Sequence, residues 1–201
     1  MKNKTIMRIN EIFYSIQGEG AYTGTPCVFV RFAGCNLKCP FCDTKHESYK
    51  EYTDEDIMRE VEKYPTKHIV LTGGEPTLQI TEKFMLMLYE KEYFIHIETN
   101  GTRNNKALSF ANWVTCSPKF EFCKHADIVL EHIDELKIVF DAEKTCMNKY
   151  ENIKAEKYYL QPCDLKDKSK TENNVKGVIN YCLSHPQWAI SLQTQKIINV
   201  R

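Results

Sequence analysis

Three cysteines, Cys35, Cys39 and Cys42, lie within eight residues with the spacing C-x3-C-x2-C. Thiolates at this spacing can surround one soft metal centre, such as an iron-sulfur cluster or zinc. The sequence contains no second C-x2-C pair, so the motif offers three ligands where structural zinc sites and ferredoxin clusters use four. An open fourth position is typical of catalytic metal sites. The alternative is a zinc knuckle completed by Cys27 or His46.

Polar segments follow several apolar runs, at the point where a parallel sheet presents its ligand-binding residues. In Thr72-Gly73-Gly74-Glu75-Pro76, two glycines let a ligand approach the backbone, and Glu75 offers a carboxylate. Taken singly, each such segment can also be a helix cap or a turn. The others are Glu98-Thr99-Asn100-Gly101, Ser117-Pro118-Lys119 and Gln161-Pro162-Cys163-Asp164.

Arg31 stands at the end of an apolar run, Cys27 to Phe32. A guanidinium is costly in such surroundings unless it pairs with an anion, and a substrate carboxylate would be a bidentate partner. An internal carboxylate, Glu19 or Glu75, is the alternative partner.

A scaffold of alternating strands and helices would bring these segments together. Helical spacing predicts helices over Asp54 to Tyr64, Glu82 to Lys91, Glu143 to Asn152 and Asn173 to Leu183, and the polar stretch Asp164 to Asn174 is predicted as a surface loop. The alternation predicts an α/β domain with a mostly parallel sheet. Strands are predicted over Cys27 to Phe32, Ile69 to Leu71, Phe94 to Ile97, Trp113 to Thr115, Leu136 to Phe140, Tyr158 to Leu160 and Ile190 to Leu192.

The length of 201 residues predicts one domain over residues 1–201 and falls short of the roughly 250 residues of a closed (β/α) barrel. Lys plus Arg and Asp plus Glu both number 27, so we expect neither nucleic acid nor an anionic membrane as a partner. No membrane span or signal peptide is visible, and we expect the chain in the cytoplasm, with its nine cysteines as thiols or metal ligands.

The cysteine motif, with aromatic Phe41 before its last cysteine, resembles the cluster loop of radical S-adenosylmethionine enzymes. The resemblance implies that Cys35, Cys39 and Cys42 hold three irons of a 4Fe-4S cluster while S-adenosylmethionine chelates the fourth. Reductive cleavage of S-adenosylmethionine then yields a 5'-deoxyadenosyl radical. It also implies an incomplete, TIM-like (β/α) barrel and an electron donor such as a flavodoxin or a ferredoxin.

A narrower resemblance, to the 7-carboxy-7-deazaguanine synthase family, covers nearly the whole chain from Glu11 onward. These enzymes are carbon-nitrogen lyases that convert 6-carboxy-5,6,7,8-tetrahydropterin into 7-carboxy-7-deazaguanine with loss of ammonia, a step toward queuosine and other 7-deazapurines. The resemblance implies hydrogen abstraction from the ring carbon bearing the carboxylate, ring contraction, a magnesium requirement and a homodimer. It is carried by the segment Glu11 to Gly20, Arg31, Cys-x-x-Cys-Asp-Thr at 39–44, the four strand-end segments and Glu135-Leu136-Lys137.

Site residues follow from the same resemblance. Thr44 would touch magnesium. Substrate contacts would come from Ile16, Gln17, Gly18, Arg31 and Thr72, with the terminal carboxylate at Arg201 closing the pocket. The S-adenosylmethionine site would be lined by Phe41, Cys42, Asp43, Gly74, Ser117, Pro118, Lys119, Gln161, Pro162, Cys163 and Asp164.

The sequence departs from this family at two positions. Gln195 stands where the family commonly has histidine, so an acid-base role there is in doubt. Arg201 stands where the last residue is often proline. Outside the motif, Cys123 and His125 are too few to suggest a metal site, and the following are predicted to be structural: Cys27, Cys116, Cys123, Cys146, Cys163, Cys182, His68, His96, His132 and His185.

Two other functions remain open at this point. A glycyl-radical activating enzyme also carries C-x3-C-x2-C, although the Gln-Gly-Glu-Gly segment at 17–20 argues against it. A structural zinc or electron-transfer module would bind metal without cleaving S-adenosylmethionine.

Overall fold

One mixed sheet of nine strands organises the residues that our computed structural model describes, 5–42, 44 and 47–201. The strands are β1 (Ile6–Ile16), β2 (Pro26–Phe32), β3 (Lys50–Thr53), β4 (His68–Gly73), β5 (Phe94–Thr99), β6 (Trp113–Cys116), β7 (Glu135–Phe140), β8 (Lys157–Pro162) and β9 (Trp188–Ile190). The helices are α1 (Asp54–Val61), α2 (Glu82–Glu90), α3 (Lys168–Ser184) and α4 (Thr194–Ile197).

The strand order is β3-β1-β2-β4-β5-β6-β7-β8-β9. Strand β1 is antiparallel to both β2 and β3, and every pair from β2–β4 to β8–β9 is parallel. The described sheet therefore starts at β3 and ends at β9 without joining these edges. This arrangement confirms the expected α/β fold with an incomplete (β/α) barrel.

Two hydrophobic clusters hold the helices against the sheet. Helices α1 and α2 cover the half around β1, β2, β4 and β5 with buried side chains such as Ile57 and Phe84. Helix α3 covers the half around β7 and β8, where Val178 packs in the cluster of Ile138 and Leu160. Among the described residues, no helix is long and apolar enough to cross a bilayer.

Helix α1 begins at the predicted residue, and its first turn explains why. The Thr53 hydroxyl accepts a hydrogen bond from the Asp56 amide (3.2 Å), and the Asp56 carboxylate accepts one from the Thr53 amide (3.0 Å). This reciprocal capping box satisfies two amides that the helix itself cannot bond.

Several elements differ from the predictions. Strands β1 and β3 were not expected, and strand β9 lies two residues before its predicted position. Helix α3 begins at Lys168, inside the predicted loop, where the Asp167 side chain caps it by accepting from the Lys170 amide (2.9 Å).

The helix predicted over Glu143 to Asn152 is wrong. The chain turns there, and only Met147–Tyr150 form a short 3-10 helix. Tyr150 is buried and donates its hydroxyl hydrogen bond to Glu121, so a tertiary contact outweighs the local helical pattern.

Candidate active site

A cavity of about 820 Å³ lies at the carboxyl ends of the parallel strands. Nearly all the predicted site residues line it. Pro118 does not, and Asp43 lies outside the described residues. The predicted residues around the cavity are Ile16, Gln17, Gly18, Arg31, Cys35, Cys39, Phe41, Cys42, Thr44, Thr72, Gly74, Ser117, Lys119, Gln161, Pro162, Cys163, Asp164 and Arg201.

The three motif cysteines lie together in the cavity wall. The Cys35 sulfur accepts hydrogen bonds from the Leu37 amide (3.4 Å) and the Asn100 side-chain amide (3.8 Å). Burial raises the pKa of Cys35 and raises that of Cys39 to about 12, with the Lys119 ammonium opposing the change at Cys39. Both are therefore thiols in the metal-free chain, and metal binding must release their protons.

Among the described residues, the surroundings of the motif cysteines differ from those of a structural zinc site. Within residues 5–42, 44 and 47–201, no three Cys, His, Asp or Glu side chains surround one point as a single metal ion requires. Cys27 is fully buried among Phe13, Phe29 and Val70, so a zinc knuckle completed by Cys27 is wrong. His46 lies outside the described residues. Three cysteine thiols that line one cavity suit an iron-sulfur cluster, which thiolates hold at several irons.

Gly74, at the end of β4, fixes the start of the cysteine loop. Its amide donates to the Phe32 carbonyl (2.9 Å), and the Glu75 amide donates to the Gly34 carbonyl (2.9 Å). A Cβ on Gly74 would lie 1.9 Å from the Gly34 carbonyl oxygen, so only glycine allows this approach.

Glu75 is not the free strand-end carboxylate that the sequence suggested. It is fully buried and accepts hydrogen bonds from the amide and hydroxyl of Thr77, the Thr99 hydroxyl and the Asn100 amide. It does not line the cavity. Glu75 therefore fixes the ends of β4 and β5 relative to each other.

Arg31, near the end of β2, also lines the cavity. Its Nε is 2.9 Å from the Glu11 carboxylate, and its Nη1 donates to the Thr44 hydroxyl at 3.3 Å. The partner is therefore Glu11, and neither Glu19 nor Glu75. Arg201 shares that carboxylate, and its backbone oxygen accepts from the Ser15 hydroxyl (2.6 Å).

A buried ion network crosses the cavity wall, and sequence reasoning missed its role. Lys137, 5 % exposed, lies 2.7 Å from the Glu19 carboxylate and 3.5 Å from that of Glu98. Glu98 also accepts from the Thr72 hydroxyl (2.9 Å) and the Gln17 side chain (3.1 Å). Burial raises the pKa of Glu98, but the Lys137 charge and these donors outweigh it and lower the pKa to about 2. Both motifs, Glu-Thr-Asn-Gly and Glu-Leu-Lys, were visible in the sequence without an assigned role.

The last residues of the sequence return to β1 and form part of the cavity wall. The amide and hydroxyl of Thr194 donate to the Gly18 carbonyl (3.0 and 2.7 Å). The side-chain amide of Gln195 donates to Glu19 at 3.2 Å, while its Oε1 is buried with no partner among the described atoms. A Cβ at Gly18 would lie 1.7 Å from that Oε1, so Gly18 makes room for the tail.

The chain is similar in sequence to known proteins, and the similar segments include this cavity. Residues 29–117, which include the cysteine loop and the ends of β2, β4, β5 and β6, match the Radical SAM superfamily. A 7-carboxy-7-deazaguanine synthase of Bacteroides thetaiotaomicron is 45 % identical over 96 % of this chain and 98 % of the relative. One of Haemophilus influenzae is 37 % identical over 96 % and 93 %. The chain belongs to the 7-carboxy-7-deazaguanine synthase family.

Solved structures agree with that family. The crystal structure of QueE from Escherichia coli superimposes with a TM-score of 0.76 at 26 % identity, covering 93 % of both chains. The structure of Streptococcus suis SuiB bound to S-adenosylmethionine has a TM-score of 0.51 at 17 % identity, covering 78 % of this chain and 44 % of SuiB, and shows the fold alone. As a radical SAM lyase, a 7-carboxy-7-deazaguanine synthase uses a 4Fe-4S cluster and S-adenosylmethionine.

Proposed function

We propose that this cavity contracts the ring of 6-carboxy-5,6,7,8-tetrahydropterin to give 7-carboxy-7-deazaguanine and ammonia, toward queuosine and other 7-deazapurines. One observation carries the proposal: three cysteine thiols and a guanidinium, Arg31, line one cavity at the strand ends of a radical SAM fold. The thiols suit a cluster, and the guanidinium suits the substrate carboxylate.

Cys35, Cys39 and Cys42 would hold the cluster. When bound, the cluster and S-adenosylmethionine supply an organic radical that takes hydrogen from the substrate. The donors at Asn100 and Leu37 reach the Cys35 sulfur and would stabilise its thiolate form. The remaining wall of the S-adenosylmethionine site would be Phe41, Asp43, Gly74, Ser117, Pro118, Lys119, Gln161, Pro162, Cys163 and Asp164.

Arg31 would bind the substrate carboxylate. In the substrate-free chain its guanidinium is kept in place by Glu11, which also binds Arg201. Because Glu11 and Thr44 already hold the guanidinium, Arg31 is oriented before the substrate enters. The substrate carboxylate would take over donors that now face Glu11. The Arg201 backbone oxygen, held by Ser15, would close the pocket over the substrate together with Ile16, Gln17 and Gly18.

Lys137 and its two carboxylates would set the charge of the substrate pocket. Burial lowers the pKa of Lys137, but Glu19, Glu98 and Glu135 outweigh it and raise the pKa, so the side chain stays an ammonium. The Thr72 hydroxyl donates its hydrogen to Glu98. The lone pairs of the Thr72 oxygen therefore stay available as acceptors at the cavity wall. Thr72 is therefore oriented to accept a hydrogen bond from a ring N–H of the substrate.

Thr44 would contribute to a magnesium site. Its hydroxyl lines the cavity 3.3 Å from the Arg31 guanidinium, where a substrate carboxylate would also lie. Magnesium keeps several waters and accepts ligands from its substrate, so one protein hydroxyl beside a carboxylate is sufficient.

The wider setting is part of the same proposal. We expect a single domain over residues 1–201, a homodimer, a cytoplasmic location and a flavodoxin or ferredoxin as electron donor. The balance of 27 basic and 27 acidic residues supports the absence of nucleic acid and anionic membrane among its partners.

The test is product analysis. The protein is reconstituted anaerobically with iron and sulfide, reduced, and given S-adenosylmethionine, magnesium and 6-carboxy-5,6,7,8-tetrahydropterin. We expect 7-carboxy-7-deazaguanine by mass spectrometry from the wild type and from the control C182A, and none from C35A, C39A or C42A. 5'-Deoxyadenosine without the deazaguanine would overturn the substrate assignment, and T44V should need more magnesium for half-maximal rate.

A further inference from the structure

A fourth cysteine, Cys123, lies against the cysteine loop from a distant part of the chain. Its sulfur is 3.6 Å from the Cys39 sulfur, although 84 residues separate them in sequence. Both residues are half-buried, and Cys39 faces the open cavity. No sequence pattern indicates this pair, because Cys123 has no metal-ligand spacing to any other cysteine.

Contacts of the flanking residues keep the two sulfurs close together. Phe41 and Phe122 pack edge to face with ring centroids 4.6 Å apart, one residue from Cys123 and two from Cys39. The amides of Phe122 and Cys123 both donate to the Lys119 carbonyl (3.0 Å each), which forms a tight turn after β6. The sulfur contact is therefore part of an ordered junction between two loops.

We propose that Cys39 and Cys123 form a disulfide when the cluster is absent, and that this bond is an oxidation-sensitive lock on cluster assembly. A disulfide needs its sulfurs at about 2.05 Å, so the two sulfurs, now 3.6 Å apart, must approach by about 1.5 Å. The neighbouring thiol Cys42 instead directs its Sγ toward the Thr44 carbonyl at 3.6 Å. Cys39 therefore has Cys123, and not Cys42, as its facing partner.

The oxidation balances with a peroxide as oxidant. Hydrogen peroxide converts the Cys123 thiol to a sulfenic acid and releases one water. The Cys39 thiol then loses its proton, the resulting thiolate attacks that sulfur to form the S–S bond, and the sulfenic hydroxyl leaves with the proton as a second water. Two thiols lose two electrons in total, and the peroxide is reduced to two waters. A dithiol reductant reverses the bond by exchange.

The consequence for assembly rests on the proposed role of Cys39 as a cluster ligand. A disulfide sulfur cannot bind iron as a thiolate, so the oxidised chain offers two ligands in place of three. The disulfide then protects both sulfurs from further oxidation, and its reduction restores the two thiols.

The first experiment maps the bond in the full-length, cluster-free protein. The protein is treated with one equivalent of hydrogen peroxide, its remaining thiols are alkylated, and non-reduced peptides are analysed by mass spectrometry. We expect a peptide pair joined through Cys39 and Cys123, lost in C123S and retained in C182S, with circular dichroism to verify folding. A bond between Cys39 and Cys42, or no bond to Cys39, overturns the proposal.

The second experiment measures cluster uptake by visible absorbance. Peroxide-treated wild type should take up less than a tenth of the cluster that reduced wild type takes up, and dithiothreitol should restore it. Full uptake by the oxidised protein without a reductant overturns the lock. Failure of the reduced protein to take up a cluster would instead contradict the proposed function, while the mapped disulfide stands or falls separately.

Discussion

The charged side chains of Lys137 and Arg31 are tolerated in the cavity wall because each lies beside a carboxylate. Lys137 lies between Glu19 and Glu98, and Arg31 lies beside Glu11. Removing one member of a buried ion pair leaves an uncompensated charge, which costs far more than losing an exposed pair.

K137M should therefore lower the free energy of unfolding by about 3 kcal/mol, since two carboxylates lose their shared cation. The matched control is K63M, because Lys63 pairs with Glu60 on the exposed surface of α1 and its loss should cost under about 0.5 kcal/mol. Urea unfolding at neutral pH measures both. Equal losses in the two variants would contradict the buried network.

R31K should reduce kcat/KM for the pterin about 30-fold, since lysine keeps the charge but loses the bidentate geometry worth about 2 kcal/mol. The unfolding midpoint should change little, because the Glu11 partner remains close to a cation. Steady-state kinetics with product detection measures the effect. An unchanged kcat/KM would show that Arg31 does not contact the substrate.

His96 should make stability fall in mild acid. Burial lowers its pKa to about 3, so the folded chain keeps it neutral while the unfolded chain takes up a proton as pH falls below about 6.5. Stability from this group is complete above pH 6.5 and declines toward pH 3, by at most about 1.4 kcal/mol per pH unit. H96Q should have a shallower dependence between pH 6 and pH 5 in urea titrations. Parallel slopes for the two proteins would contradict the prediction.

Among the elements, the sequence predicted most strands of the sheet but missed β1 and β3, which lie together at one side of it. The apolar runs of β2, β4, β5 and β7 are buried on both faces, so hydrophobic residues in series identified them. Strand β1 is paired on both sides yet mixes exposed and buried residues, with Arg8, Asn10 and Glu11 among its apolar ones. Its pairing with β2 and β3 is a tertiary fact that its own composition does not indicate.

Glycines within elements have different roles, which substitution by alanine can separate. G74A should abolish stable cluster binding, because its Cβ would displace the Gly34 backbone and with it the loop that carries Cys35. G177A is the matched control in α3, where the new Cβ would meet ordinary contacts at 3.4 and 3.6 Å, and it should stabilise the helix by up to about 1 kcal/mol. Iron content and thermal unfolding measure both. Normal iron content in G74A would contradict the positioning role.

In the whole molecule, residues 194–201 connect the two sides of the open sheet. Strand β9 ends the sheet on one side and β1 lies near the other edge. Residues 194–201 span the gap through Gly18, Ser15 and Glu11. The family resemblance implied a site role for Arg201, and the fold brings this residue to the cavity through its contacts with β1.

Deleting Arg201 should raise KM for the pterin about tenfold, since its contacts to Ser15 and Glu11 close the pocket and a pair of such polar contacts is worth about 1.4 kcal/mol. The unfolding midpoint should stay within about 2 °C, because the residue is exposed and only its guanidinium, 5.1 Å from the Phe13 ring centroid, touches a buried side chain. An unchanged KM would mean that the tail does not contact the substrate.

How much of the site the sequence revealed depends on how its residues are connected. Motif residues adjacent in the chain, such as Cys35, Cys39 and Cys42, were identified because their spacing is local. Lys137 and Glu98 are partners across the sheet, and Cys123 reaches Cys39 only through loop packing, so neither contact leaves a local pattern. The internal carboxylate beside Arg31, which is Glu11 and not the suggested Glu19 or Glu75, was missed for the same reason.

In the proposed reaction, one cavity places the substrate ring carbon within reach of the radical formed beside Cys35, Cys39 and Cys42. The most direct measurement supplies substrate deuterated at the carbon that bears the carboxylate and follows the label by mass spectrometry. We predict deuterium in 5'-deoxyadenosine or in recovered S-adenosylmethionine, and no transfer in C39A. Formation of 7-carboxy-7-deazaguanine with the label found only in solvent would contradict the account.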